Sequence, residues 1–169
     1  MNTLVKYVVT DPCYILSNEQ WDECCKVFDT YSNDEFMYQR FNETVSKALT
    51  EFSGYPAYAC DTGFGDWTNE IYGCDVIKSD FCADSGMVCV CRLTPKIEEH
   101  FRKEYGPSFS GAAIFEMSEH IKVEFDVSDK HWTVVKLQDK ISGYEITSMD
   151  SNDFYYDNEE DDYEEEEDY

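Results

Sequence analysis

The chain changes its hydrophobic periodicity at Gly54, and that change restricts the fold more than any other feature. Ahead of it, Ser17 followed by Gln20 has the spacing of a capping box and predicts a helix from about residue 18 to 28. A second helix is expected from about 34 to 52. There Met37, Phe41, Val45 and Leu49 recur every fourth residue as one apolar stripe, and Gly54 supplies the stop. Beyond Gly54 the spacing shortens to that of strands, with candidates at 55–60, 69–72 and 87–93. Four more follow at 112–117, 121–127, 131–137 and 144–148, with a hairpin turn read across 127–131. Thr94-Pro95 has the chemistry of an N-cap and first helical position for a short helix reaching about 105. A β-branched and aromatic run at 3–10 opens the chain as a strand, and Asp11-Pro12 ends it. The expectation is an α+β fold: two N-terminal helices packed on a mostly antiparallel β-sheet or open barrel.

Charge sets the second constraint. The 169 residues carry 37 acidic and 13 basic side chains, a formal net charge of −24. Twelve of the acids lie in 150–169, where there is no basic residue, and this stretch is expected to be a disordered acidic tail. Residues 1–149, read as a single domain, keep 25 acids against 13 bases. The imbalance is concentrated before residue 92, where 15 acids face 5 bases. Such a balance disfavours direct binding to nucleic acid or to anionic lipid, whose protein partners are basic. No apolar stretch approaches the roughly 20 residues of a membrane helix. The first residues lack the apolar core and cleavage site of a secretory signal, so cytoplasmic residence in a host cell is expected.

Duplex DNA shows about 22 charges over the ~38 Å width of a body this size. The net −12 of the body is about half of that. Imitation of DNA therefore requires carboxylates segregated from lysines. The carriers expected are Asp22, Glu23, Asp34, Glu35, Glu43 and Glu51 on the helices, with Glu159, Glu160, Asp161, Asp162, Glu164 and Glu165 in the tail.

Signals for chemistry are weaker. Eight cysteines occur without the tight-turn pairs of zinc sites, and Cys89 and Cys91 fall on one face of a strand, as two small buried thiols would. Phosphate-cradling glycine motifs and the serine elbow are missing, and no cofactor is expected. A Cys13 nucleophile would need one of only three histidines as its base, and none is local to it. The densest turn pattern runs Thr62-Gly63-Phe64-Gly65-Asp66-Trp67, then Gly73 and Asp75, then Ala83-Asp84-Ser85-Gly86. Positive-φ turns capped by aspartates account for it; Asp61, Asp66 and Asp84 gathered around a hard cation are the alternative.

Asp11-Pro12-Cys13-Tyr14, Gly65-Asp66 and Asp84-Ser85-Gly86 resemble, in that order, three turns of a family of small phage and bacterial proteins of unassigned activity. Trp67 and Ala83 depart from the glycine and valine of that pattern, and the resemblance covers roughly residues 5–92. It implies a β-rich domain of phage or mobile-element origin and no particular reaction. The leading expectation is a non-enzymatic viral binding protein that covers the basic, nucleic-acid-binding surface of a host protein such as a defence nuclease. The alternatives are a virion or scaffold assembly protein with a solubilising tail, and a small metal-dependent enzyme built on Asp66, Asp84 and Cys13. The oligomeric state is not legible.

Overall fold

The computed structural model describes residues 3–148 except Phe64, Cys74, Asp129 and Lys130, and gives no side-chain description for Ser128, His131 and Trp132. The acidic stretch 150–169, with its six expected carriers from Glu159 to Glu165, lies outside the described residues, as do the two central residues of the expected 127–131 turn.

Strand β1 (Leu4–Thr10) leads through a single 3-10 turn (Pro12–Tyr14) into α1 (Asn18–Thr30) and α2 (Met37–Ser53). Then come β2 (Tyr58–Asp61), β3 (Trp67–Tyr72), β4 (Val76–Lys78), β5 (Asp80–Ala83) and β6 (Met87–Arg92). The chain closes with α3 (Pro95–Tyr105), β7 (Ala112–Ser118), β8 (Ile121–Ser128), β9 (His131–Asp139) and β10 (Glu145–Ser148). The capping box is present: the Ser17 hydroxyl accepts from the Gln20 amide, and the Gln20 side chain accepts from the Ser17 amide. Thr94 caps α3 with Pro95 at its first turn, and Gly54 ends α2 in the left-handed region at φ 79°.

The fold is α+β, but the strands form two sheets rather than one. The first sheet runs β2-β6-β1-β7-β4 and the second β5-β3-β10-β9-β8, with antiparallel pairing in each registered pair. The cause lies in β1 and β6, which are apolar on both faces. From β6, Cys89 and Cys91 join Val8 of β1 in a core under the helices, with Phe41, Val45, Leu49 and Ile97. Val88, Val90 and Val9 point the other way, into a second core with Phe81, Phe115, Val135, Leu137 and Ile146. A strand buried on both faces needs a layer on each side. The result is helices, first sheet, second sheet, in that order.

The structure departs from the sequence reading at several points. α2 starts at Met37 rather than 34, because the Asp34 side chain accepts from the Phe36 amide at 2.8 Å and Asn33 takes φ 68°, which together make a turn. Strands β4 and β5 were not expected; they are only three and four residues long and sit among turn residues. On β8, Ile121, Val123 and Phe125 are half-buried against the second core while Lys122, Glu124 and Asp126 face solvent, as alternation requires, but Val127 is exposed.

Candidate interaction surface and the three-turn junction

The three turns that carry the family resemblance meet in space. Asp11, fully buried, ends β1, and its carboxylate accepts from the Cys13 amide (2.9 Å), the Ser85 amide (2.6 Å) and the Ser85 hydroxyl (2.7 Å). The Asp11 amide donates to the Cys82 carbonyl, and the Thr62 amide to the Gly86 carbonyl. Tyr14 donates through its hydroxyl to Asp84. Gly65 completes the junction: a Cβ there would stand 3.1 Å from the Asp84 carbonyl oxygen, so a side chain would press the two turns apart by a few tenths of an ångström.

This geometry clamps the turns together. Burial pushes the Asp11 carboxyl up, against the pull of the amide and hydroxyl donors around it. Burial, reinforced by the negative charges of Asp11 and Asp84, also drives the Cys13 thiol upward, away from the thiolate a nucleophile requires. Among the described residues no group of three or more His, Cys, Asp or Glu side chains is placed to hold a metal ion. Asp66 and Asp84 are both exposed, Asp66 with a left-handed backbone (φ 54°) and Asp84 bonded to Tyr14.

Seven of the eight cysteines fall among the described residues and all are free thiols; Cys24, Cys60, Cys89 and Cys91 are buried. Burial pushes Cys60 up to about 12 and Cys91 up to about 11. These thiols pack as small apolar groups.

Of the six carriers expected on the helices, four lie there: Asp22 and Glu23 on α1, Glu43 and Glu51 on α2. On α1, Glu19, Asp22, Glu23 and Asp29 are exposed and fall within about a third of the helix circumference, interrupted only by Lys26, which pairs with Glu23. On α2, Glu43 and Glu51 share about a quarter of the circumference with Arg40 and Lys47, so acid and base alternate along that face. Glu23 and Glu51 flank a groove that also holds Lys47 and Lys96. The α1 stripe is therefore acidic, and the α2 stripe is close to neutral.

Asp34 and Glu35 sit in the connection between the helices. Asp34 is half-buried and pairs with Arg40 at 3.3 Å, while the Arg40 guanidinium also lies 4.4 Å from the centre of the Tyr31 ring. That cation is held back against the fold. Phe36, next to Glu35 in the connection, is 53% exposed, and Tyr38, in the first turn of α2, is 55% exposed with its ring centre 5.8 Å from that of Phe28. Two exposed aromatics thus follow the acidic α1 stripe in the chain. Sequence reasoning missed Phe36 because it placed that residue inside the helix, where the Asn33-Asp34 pair, which favours turns, was the available signal; Tyr38 does lie in α2, off its apolar stripe.

Among the described residues no helix is long and apolar enough to cross a membrane. Comparisons with protein-family models, with curated proteins and with solved structures find no match to this chain.

Proposed function

We propose that this chain is a non-enzymatic acidic binding protein that covers a basic, nucleic-acid-binding surface of a partner protein, a host defence nuclease being the fitting class. The observation that carries the reading is the acidic α1 stripe, followed in the chain by the exposed Phe36 and Tyr38. Exposed aromatics supply anchoring area at interfaces, and carboxylates around them select a cationic surface and speed the encounter. Arginine-rich grooves offer both chemistries at once, since guanidinium pairs with carboxylate and stacks on aromatic rings. The twelve acids of 150–169 add to the field that steers such a partner.

The test is retention on an immobilised basic nuclease at rising salt. The parent protein is expected to bind at about 50 mM salt and to elute before about 300 mM, as the Debye length shortens. Asp22→Lys/Asp29→Lys is expected to weaken retention at low salt, and Phe36→Ala/Tyr38→Ala to weaken it at every salt concentration. Asp22, Asp29, Phe36 and Tyr38 are all exposed; Tyr38 also packs on Phe28, so unfolding midpoints of the variants are compared with the parent's before retention is read. Binding indifferent to salt and to both variants overturns the proposal.

A further inference from the structure

At one end of the first sheet, two cations line a recess on an otherwise acidic molecule. Arg92, the last residue of β6, lies with its guanidinium 4.0 Å from the centre of the Tyr55 ring and its side chain only 19% exposed. One of its nitrogens donates to Glu119 at 2.9 Å. Around this pair is a recess of about 190 Å³, lined also by Tyr58, His120 and Lys140. Lys140 and His120 are exposed, and among the described residues Lys140 has no carboxylate partner. Two permanent cations and one exposed carboxylate thus line the recess; the nearby Asp139 carboxylate is buried and taken up by the Ser118 amide and hydroxyl and the Ile141 amide.

Glu119 is a weak occupant. It holds Arg92 through a single nitrogen, its own side chain is 54% exposed, and it stands in the short turn between β7 and β8. A monocarboxylate entering from solvent would only exchange like for like. A phosphate dianion brings a second negative charge and more acceptor oxygens, which the Arg92 fork, the Lys140 ammonium and the Tyr55 and Tyr58 hydroxyls can meet. The recess is smaller than the roughly 300 Å³ at which pockets for drug-sized ligands begin, so it admits an oxyanion head and not a whole nucleotide. We propose that this recess is a phosphate-binding site in which Arg92 forms the floor, Lys140 and His120 the rim, and Glu119 an internal carboxylate that the ligand displaces. At about 0.15 M ionic strength the charge of the rest of the molecule is screened beyond ~8 Å, so the local cations govern.

The experiment is calorimetric titration of the full chain with inorganic phosphate and with phenyl phosphate, ionic strength being held constant with chloride. Saturable one-site binding with a Kd in the millimolar range or below is expected. Equal affinity for the two ligands identifies a free ion as sufficient; tighter binding of phenyl phosphate identifies a phosphoryl group carried on a ring. Glu119→Gln removes the competing charge and is expected to tighten binding several-fold, whereas Lys140→Gln is expected to weaken it roughly tenfold. Both positions are exposed, so neither change puts folding at risk. Absence of saturation by either ligand at about 20 mM overturns the proposal, as does a Glu119→Gln variant that binds no tighter than the parent.

Discussion

Asp139 and Asp11 show what a buried carboxylate needs, and how differently two such sites respond to acid. Burial alone would raise the Asp139 carboxyl, but donors outweigh it: the Ser118 amide (2.9 Å), the Ser118 hydroxyl (2.7 Å) and the Ile141 amide (2.9 Å) hold it below the usual carboxylate range. A carboxyl lowered in the folded state stabilises the protein fully above its unfolded value of about 3.9, and that contribution is lost as pH falls through the folded value. Asp11 runs in the opposite sense, because burial leaves it raised, so protonation there relieves a cost. Urea midpoints measured from pH 7 down to pH 2.5 test this. Asp139→Asn is expected to cost about 1.5–3 kcal/mol at neutral pH, and the gap to the parent is expected to close as pH drops below about 4. A gap that stays constant with pH contradicts the assignment. Neither role was legible in the sequence. Asp11 stood out there as a turn residue before proline, while its true partner, Ser85, lies 74 positions away and is met only once β1 and β6 pair.

At the scale of elements, local chemistry was legible where it is self-contained. The Ser17–Gln20 box, the Thr94-Pro95 start and the Gly54 stop each rest on residues within one turn of the feature they create, and all three are present. Ser17→Ala is therefore expected to lower stability by about 1 kcal/mol in denaturant unfolding, with no change in slope. A change above about 3 kcal/mol would mean that Ser17 also supports contacts beyond α1. The apolar stripe of α2 was readable as well: Phe41, Val45 and Leu49 are buried, and Met37, at the frayed end, is half-buried. Strands β4 and β5 were not readable. Three or four residues give no usable period, and Phe81 earns its place only by packing on Trp67 across the pair, with ring centres 5.7 Å apart. The charge pattern on α2 was present in the sequence yet went unread, since Arg40, Glu43, Lys47 and Glu51 alternate only when wound at 3.6 residues per turn.

For the molecule as a whole, the class of fold followed from the order of helical and strand periods, whereas the division into two sheets did not. The unbroken apolar run from Met87 to Cys91 was the clue, because a strand with water on one face alternates and this one does not. The field of the molecule was legible only as a sum. A chain ending at Met149 loses twelve acids and no bases, which halves the net charge. Stopped-flow association with a basic nuclease is expected to slow for the shorter chain at low salt and to converge with the parent above about 0.3 M, where long-range attraction is screened. Equal rates at low salt would confine the working charge to the helix layer.

The placement of the thiols has a practical consequence. Cys89 and Cys91 lie in an inner strand beneath the helices, with Cys24 of α1 in the same core. An alkylating reagent attacks only a thiolate it can touch, so each of these sulfurs reacts when the layer above it opens and not before. Mass-resolved labelling under native conditions would then read out, residue by residue, how often the helices lift from the sheet, using reporters the chain already carries.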